Sequence, residues 1–129
     1  MSDHPVKLAG GLRLGLRRVL VVGAGTSHSD DPDAPVGNGR AISVTAAREG
    51  ASALCADRDL AAAEETVAWI EKEGGSATAV VGDVTSEPDC TRLVEEGEGL
   101  DAVVANVGIG LGRGLAGTSA ADWDATFAV

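Results

Sequence analysis

Short apolar runs alternate with helical patterns along most of the chain, which predicts an α/β protein built on a parallel sheet. Three observations carry that expectation. Val19-Leu20-Val21-Val22 and the run from Ala51 to Ala56 read as apolar strands of the kind buried on both faces. The stretches between such runs place apolar residues at helical spacing. A loop holding Gly23, Gly25, Gly37 and Gly39 joins the first run to the first helical pattern. A strand, a glycine-rich loop and a helix start make a phosphate-binding turn: the glycines admit a pyrophosphate to the backbone, and the helix start offers unpaired N–H groups.

Taken in order, residues 1–17 are expected to form a loosely held N-terminal arm, and 18–129 a single domain. The first strand is Arg18 to Val22. Gly39 to Glu49 predicts a helix with Ile42, Ala46 and Ala47 inward, stopped by Gly50. The second strand, Ala51 to Ala56, ends on Asp57. Asp59 to Glu73 predicts a helix with Leu60, Ala63, Val67 and Ile70 inward and Glu64, Glu65, Glu71 and Lys72 in water. Ala77 to Val81 is the third strand. A third helix follows, capped by Thr85 or Ser86, with Pro88 in its first turn and Gly97 as its stop. Ala102 to Ala105 is the fourth strand. After a glycine-rich connection, a last helix is expected to start near Thr118-Ser119, with Asp122 three residues on as a capping-box-like acid and Trp123 and Phe127 as its apolar face.

Four alternations demand parallel strands joined by right-handed crossovers, a Rossmann-type doubly wound sheet. Such a sheet normally continues beyond its fourth strand. The last helix stops at Phe127-Ala128-Val129 without an end signal, so the fold is expected to be truncated after about four strands. The fourth strand would then be an apolar edge that invites self-association.

With 129 residues the chain is long enough for one domain that buries roughly two-thirds of its unfolded surface. Its 44% hydrophobic content and mean hydropathy of +0.10 describe a soluble globular protein. Ten basic against 20 acidic residues give a net charge of −10, which argues against nucleic acid or an anionic membrane as partner. No apolar run approaches the ~20 residues of a membrane span, and the charged, interrupted start does not read as a signal peptide. Cys55 and Cys90 are expected to be reduced and buried, which points to the cytoplasm.

Asp57 ends the second strand, where a carboxylate accepts hydrogen bonds from both ribose hydroxyls of an adenosine. The same carboxylate repels a 2′-phosphate and so favours NAD over NADP, whereas Arg58 beside it can pair with such a phosphate. Asp83 closes the third strand within reach of an adenine edge or as a turn residue. Asn106 ends the fourth strand at the crevice where open α/β sheets bind ligands, its amide able to bridge neighbouring backbones. Asp30, Asp31 and Asp33, interleaved with Pro32 and Pro35, read as a solvated acidic loop and not as a metal site. His4 and His28 have no Ser or Cys at a spacing that suggests a triad.

Together these motifs resemble the N-terminal half of the short-chain dehydrogenase/reductase family, across Arg18 to Val129. The family's glycine fingerprint resembles Val22-Gly23 and Gly37-Asn38-Gly39, here separated by about ten extra residues. Ala56-Asp57-Arg58 resembles its NAD-selecting strand end, Asp83-Val84 its adenine-contacting pair, and Ala105-Asn106-Val107-Gly108 its Asn-Asn-Ala-Gly element. Asp122-Trp123 and Phe127-Ala128-Val129 are similar to its following helix, while the third helix is about one turn short of the family's.

The resemblance implies an NAD(P)-dependent oxidoreductase that moves a hydride between the nicotinamide and an alcohol or carbonyl. It implies cofactor contacts at Gly23, Gly25, Gly37, Gly39, Asp57, Arg58, Asp83, Val84, Asn106 and Gly108. It also implies a catalytic Ser, Tyr and Lys beyond Val129 and a possible homo-oligomer. The sequence contains no tyrosine, and its lysines are Lys7 and Lys72, so this stretch is expected to be inactive by itself.

Two other classes compete. An S-adenosylmethionine-dependent methyltransferase would use Val22-Gly23-Ala24-Gly25-Thr26, Asp83 and Asp101-Ala102-Val103-Val104, but leaves Gly37-Asn38-Gly39-Arg40 and Asn106-Val107-Gly108 unexplained. A receiver-type binding module needs paired acids after the first strand, where Gly23-Ala24 stands.

Overall fold

A computed structural model describes residues 12–129. Most of the expected N-terminal arm, with His4 and Lys7, lies outside the described residues. Within the arm, the Leu14 N–H donates to Glu49 O at 2.8 Å, and the Leu14 side chain packs against the core.

The strands are β1 (Arg18–Val22), β2 (Ser52–Asp57), β3 (Ser76–Val81) and β4 (Ala102–Ala105). Between them come α1 (Asn38–Arg48), α2 (Leu60–Lys72) and α3 (Glu87–Glu96), and after β4 a single turn, α4 (Gly114–Gly117), and α5 (Ala120–Phe127). All pairings are parallel, in the order β3-β2-β1-β4, with Val22 opposite both Ala56 and Ala105. The fold is Rossmann-like. After β3 the chain returns across β1 to place β4 on the far side, so the strand order reverses between β1 and β4. That reversal opens a crevice at their carboxyl ends.

The period-two alternation of β1 splits the core in two. Val19 and Val21 pack with Val44 and Ala46 of α1 and Ile70 of α2 on one face. Leu20 packs with Leu54, Ala56, Val80 and Leu93 of α3 on the other. Burial on both faces explains why β1 and β2 read as continuous apolar runs.

Some expected burial falls elsewhere. Leu60, expected inward, is 40% exposed, because it opens α2 at the rim of the sheet. Thr66 takes a fully buried position on the same helix. On α1 the buried residues are Gly39, Ser43, Val44 and Ala46, with Ile42 and Ala47 partly covered. Both cysteines are free; Cys55 is buried, and burial raises its thiol pKa, but Cys90 is only half-buried on α3.

Of the two candidate caps for α3, Ser86 serves, accepting from Asp89 N. Ser119 and Asp122 form the expected capping box of α5. Trp123 and Phe127 stack with ring centroids 4.8 Å apart, yet remain 60% and 70% exposed. No described helix is long and apolar enough to cross a membrane.

Candidate functional site

The chain leaves β1 over the end of β2. The N–H groups of Gly23 and Ala24 both donate to Ala56 O, at 2.8 and 2.9 Å. Gly25 then turns its N–H to Asp57 Oδ2 at 2.9 Å. A Cβ on Gly25 would lie 2.6 Å from Ala62 Cβ and 2.9 Å from Asp57 Oδ2, so α2 seals this position against any side chain.

Ser27 to Val36, the extra residues of the loop, are nearly all exposed. Their bonds are short-range: Asp31 N to Ser29 Oγ at 3.2 Å, Asp33 N to Asp31 Oδ1 at 2.9 Å, and His28 Nε2 with Asp30 Oδ1 at 3.2 Å. The neck is closed by Gly37 N donating to Thr26 Oγ1 at 3.0 Å.

Gly37 is the N-cap of α1, and no side chain caps that end. The first intrahelical bond runs from Ala41 N to Gly37 O, so the preceding N–H groups have no helical partner. Gly39 presses on the turn below. A Cβ there would overlap the Gly23 carbonyl oxygen and sit 2.7 Å from its carbon and 2.8 Å from Asn106 Nδ2. Asn106 braces the same point from β4: Nδ2 donates to Gly23 O at 3.2 Å, and its N–H to Val22 O at 3.1 Å. The amide bridge expected of Asn106 is therefore present between β4 and the β1 turn.

Across the opening, the second oxygen of Asp57 accepts from Asp59 N at 3.0 Å, so each of its oxygens already takes one backbone N–H and keeps a free lone pair. Asp83 Oδ1 accepts from Thr85 Oγ1 at 2.7 Å and Thr85 N at 2.8 Å. These bonds, with a smaller attraction from Arg58, hold the Asp83 carboxyl below the usual carboxylate range. Asp83 is thus a turn residue at the entry to α3, and it also lines the opening.

These pieces enclose an open cleft of about 850 Å³. All ten residues expected at a site line it: Gly23, Gly25, Gly37, Gly39, Asp57, Arg58, Asp83, Val84, Asn106 and Gly108. Thr26, Ser27 and His28 from the loop and Ala62 from α2 line it as well. None of these four is among the residues expected from the sequence. Thr26 was detectable as the polar residue next to Gly25, whereas Ala62 carries no signal because any small residue at a helix start looks like it. Backbone N–H groups without a helical partner gather at the start of α1 and carboxylates at the opposite rim, which suits a ligand with a phosphate and a vicinal diol. Among the described residues, no three His, Cys, Asp or Glu side chains gather as a metal site.

Residues 34–129 match the short chain dehydrogenase family. Over 134 aligned positions the chain is 36% identical to a Mus musculus protein named (3R)-3-hydroxyacyl-CoA dehydrogenase, covering 95% of this chain and 48% of that relative. It superposes on the crystal structure of a short chain dehydrogenase from Mycobacterium smegmatis with a TM-score of 0.74 at 30% identity, covering 92% of this chain and 48% of that one. A hydroxysteroid dehydrogenase from Escherichia coli gives a TM-score of 0.74 at 29% identity, with 92% and 47% covered. The chain thus spans about half the length of the curated relatives it matches. With the family match covering most of its length, on a parallel sheet whose glycine turn lies at the strand-order reversal, the chain belongs to the short chain dehydrogenase family.

Proposed function

We propose that this chain is the NAD(P)-binding portion of an oxidoreductase that moves a hydride between a nicotinamide and an alcohol or carbonyl. The observation that carries the reading is the start of α1, which no side chain caps and where Gly37 and Gly39 add none, Gly39 being pressed on the Gly23 carbonyl. A pyrophosphate fits such a cradle, since its charge meets the helix N–H groups and the positive end of the helix dipole.

In this reading Gly23, Gly25, Gly37 and Gly39 shape the pyrophosphate seat. Asp57 accepts the adenosine ribose hydroxyls on its free lone pairs, and Asp83 and Val84 border the adenine. Asn106 and Gly108 lie on the β4 side, toward the nicotinamide. When bound, the nicotinamide supplies the hydride acceptor or donor. Asp57 favours NAD, because a 2′-phosphate beside it would meet a carboxylate; Arg58 moderates that repulsion. The proton transfer that accompanies hydride transfer in this family needs a tyrosine, and the sequence contains none. We therefore expect the 129-residue chain by itself to bind cofactor without turnover.

Calorimetric titration tests the reading. Wild type should bind NAD more tightly than NADP, and Asp57→Ala should weaken NAD by about 1–3 kcal/mol while narrowing the gap between the two cofactors. A chain that binds neither, or an alanine variant with unchanged affinity, would remove the assignment.

A further inference from the structure

We propose that Thr66, buried in α2 and outside the cleft lining, is a positioning residue that aims the Asp57 carboxylate at the dinucleotide through the Gly25 N–H. The proposal rests on the cofactor reading above. Thr66 is 0% exposed, and its hydroxyl donates to Ala24 O at 2.8 Å. The Ala24 carbonyl and the Gly25 N–H belong to one planar peptide unit and point in opposite directions. Thr66 therefore grips one end of the plane, and Asp57 Oδ2 takes the other at 2.9 Å. If the plane turns, the Gly25 N–H leaves Asp57, and the carboxylate loses one of the two backbone donors that set its angle.

Arg40 decides which way the hydroxyl points. Among the described residues, the competing acceptor for its single proton is Ala62 O, one helical turn back, at 3.3 Å. The Arg40 guanidinium, 14% exposed, donates Nε to Thr66 Oγ1 at 2.9 Å and Nη2 to Ala62 O at 3.2 Å. Those bonds occupy a hydroxyl lone pair and satisfy Ala62, leaving the Thr66 proton for Ala24. Glu65 Oε2, 2.8 Å from Arg40 Nη2, holds the guanidinium in place. The relay runs from α1 through α2 to the glycine turn and ends on the ribose-facing acid; Gly25, Asp57 and Ala62 line the cleft, whereas Arg40, Glu65 and Thr66 stand behind it.

Thr66→Val removes the hydroxyl and keeps the shape, and Thr66→Ser keeps the hydroxyl. NAD and adenosine monophosphate are titrated into each 129-residue variant while thermal midpoints and Gly25 amide hydrogen exchange are followed. The valine variant should bind both probes about tenfold more weakly, in line with one lost hydrogen bond to a buried carbonyl. Its Gly25 amide should exchange faster, and serine should restore both readouts. Should the valine variant not fold, Arg40→Met frees the hydroxyl to turn toward Ala62 and should shift both readouts the same way. A lower thermal midpoint with unchanged affinity and unchanged Gly25 exchange would make Thr66 a purely structural residue and overturn the proposal. Wild type that binds neither probe would instead sink the cofactor reading, with the exchange data still deciding whether the clamp exists.

Discussion

From Gly23 to Gly25 the loop after β1 is held by residues 32 to 83 positions away, at Asp57, Thr66 and Asn106. From Ser27 to Val36 the same loop is held by itself, through side-chain bonds that span two residues. One half is packed between strand ends and α2; the other stands in water. The contrast explains how the fold carries so long an insertion. Closing a longer loop costs little once its ends are fixed, since the entropy grows only with the logarithm of length. Here the ends are fixed independently, with Thr26 and Gly37 tied at the neck. A loop that is both long and functional can thus keep its functional part rigid by anchoring it outside the loop.

The comparison breaks most severely at Gly39. Gly39→Ala drives a methyl into the Gly23 carbonyl and Asn106, and backbone cannot yield as a side-chain tip does. We expect a loss of about 3 kcal/mol in chemical denaturation, together with loss of dinucleotide binding. An alanine variant of native stability and affinity would show that α1 does not press on the turn.

A second change sharpens the contrast from the far end of α2. Glu73 accepts from Arg48 Nε and Nη2, at 2.7 and 2.6 Å, and from Trp69 Nε1 at 2.8 Å. The Arg48 guanidinium first, then the indole, pull its pKa down to about 2 from 4.5. Because the folded value lies below the unfolded one, this stabilisation is complete above pH 4.5 and is lost as pH falls through about 2. Its side chain is 34% exposed, so solvent screening reduces the contribution to about 1 kcal/mol. Glu73→Gln should be less stable by that amount at pH 7 and lack this component of the acid transition, with cofactor affinity unchanged. A fall in affinity would mean that the two ends of α2 are coupled.

The smallest effect belongs to the insertion. Replacing Asp30, Asp31 and Asp33 together by Asn should alter stability by less than about 0.5 kcal/mol, as for exposed sites without long-range partners. NAD affinity should rise slightly at low salt, as repulsion of the pyrophosphate is relieved, and the gain should vanish above physiological ionic strength. A large loss of stability would show that the insertion is seated after all.

Much of the fold was legible because its signals are local. The bounds of β1 and β4 follow from apolar runs, and the start of α5 follows from Ser119 and Asp122, three residues apart. The gathering of glycines and acids in one cleft was legible too, since each stands at a strand end and parallel strands bring those ends together. Burial on α2 was not. Leu60 has the right period but opens the helix where no layer covers it, and Thr66 is polar yet buried because a carbonyl from the β1 turn meets its hydroxyl. Trp123 and Phe127 follow the pattern of an inward face, yet beyond their mutual contact they remain 60% and 70% exposed.

By itself, then, the sequence determined the alternation of strands and helices, the capping-box acid of α5, and the glycine positions that leave room for a ligand. Each depends on neighbours within about four residues, where helix and strand periods and capping bonds operate. Only the tertiary structure decided that Asp57 binds the Gly25 N–H as well as facing the cleft, and that Arg40 and Thr66 stand behind the turn. Those partners lie 26 to 42 residues apart, and what joins them is the order β3-β2-β1-β4 with α1 and α2 on one face. A polar side chain is buried where a distant backbone group needs a partner, and that need exists only once the layers have packed.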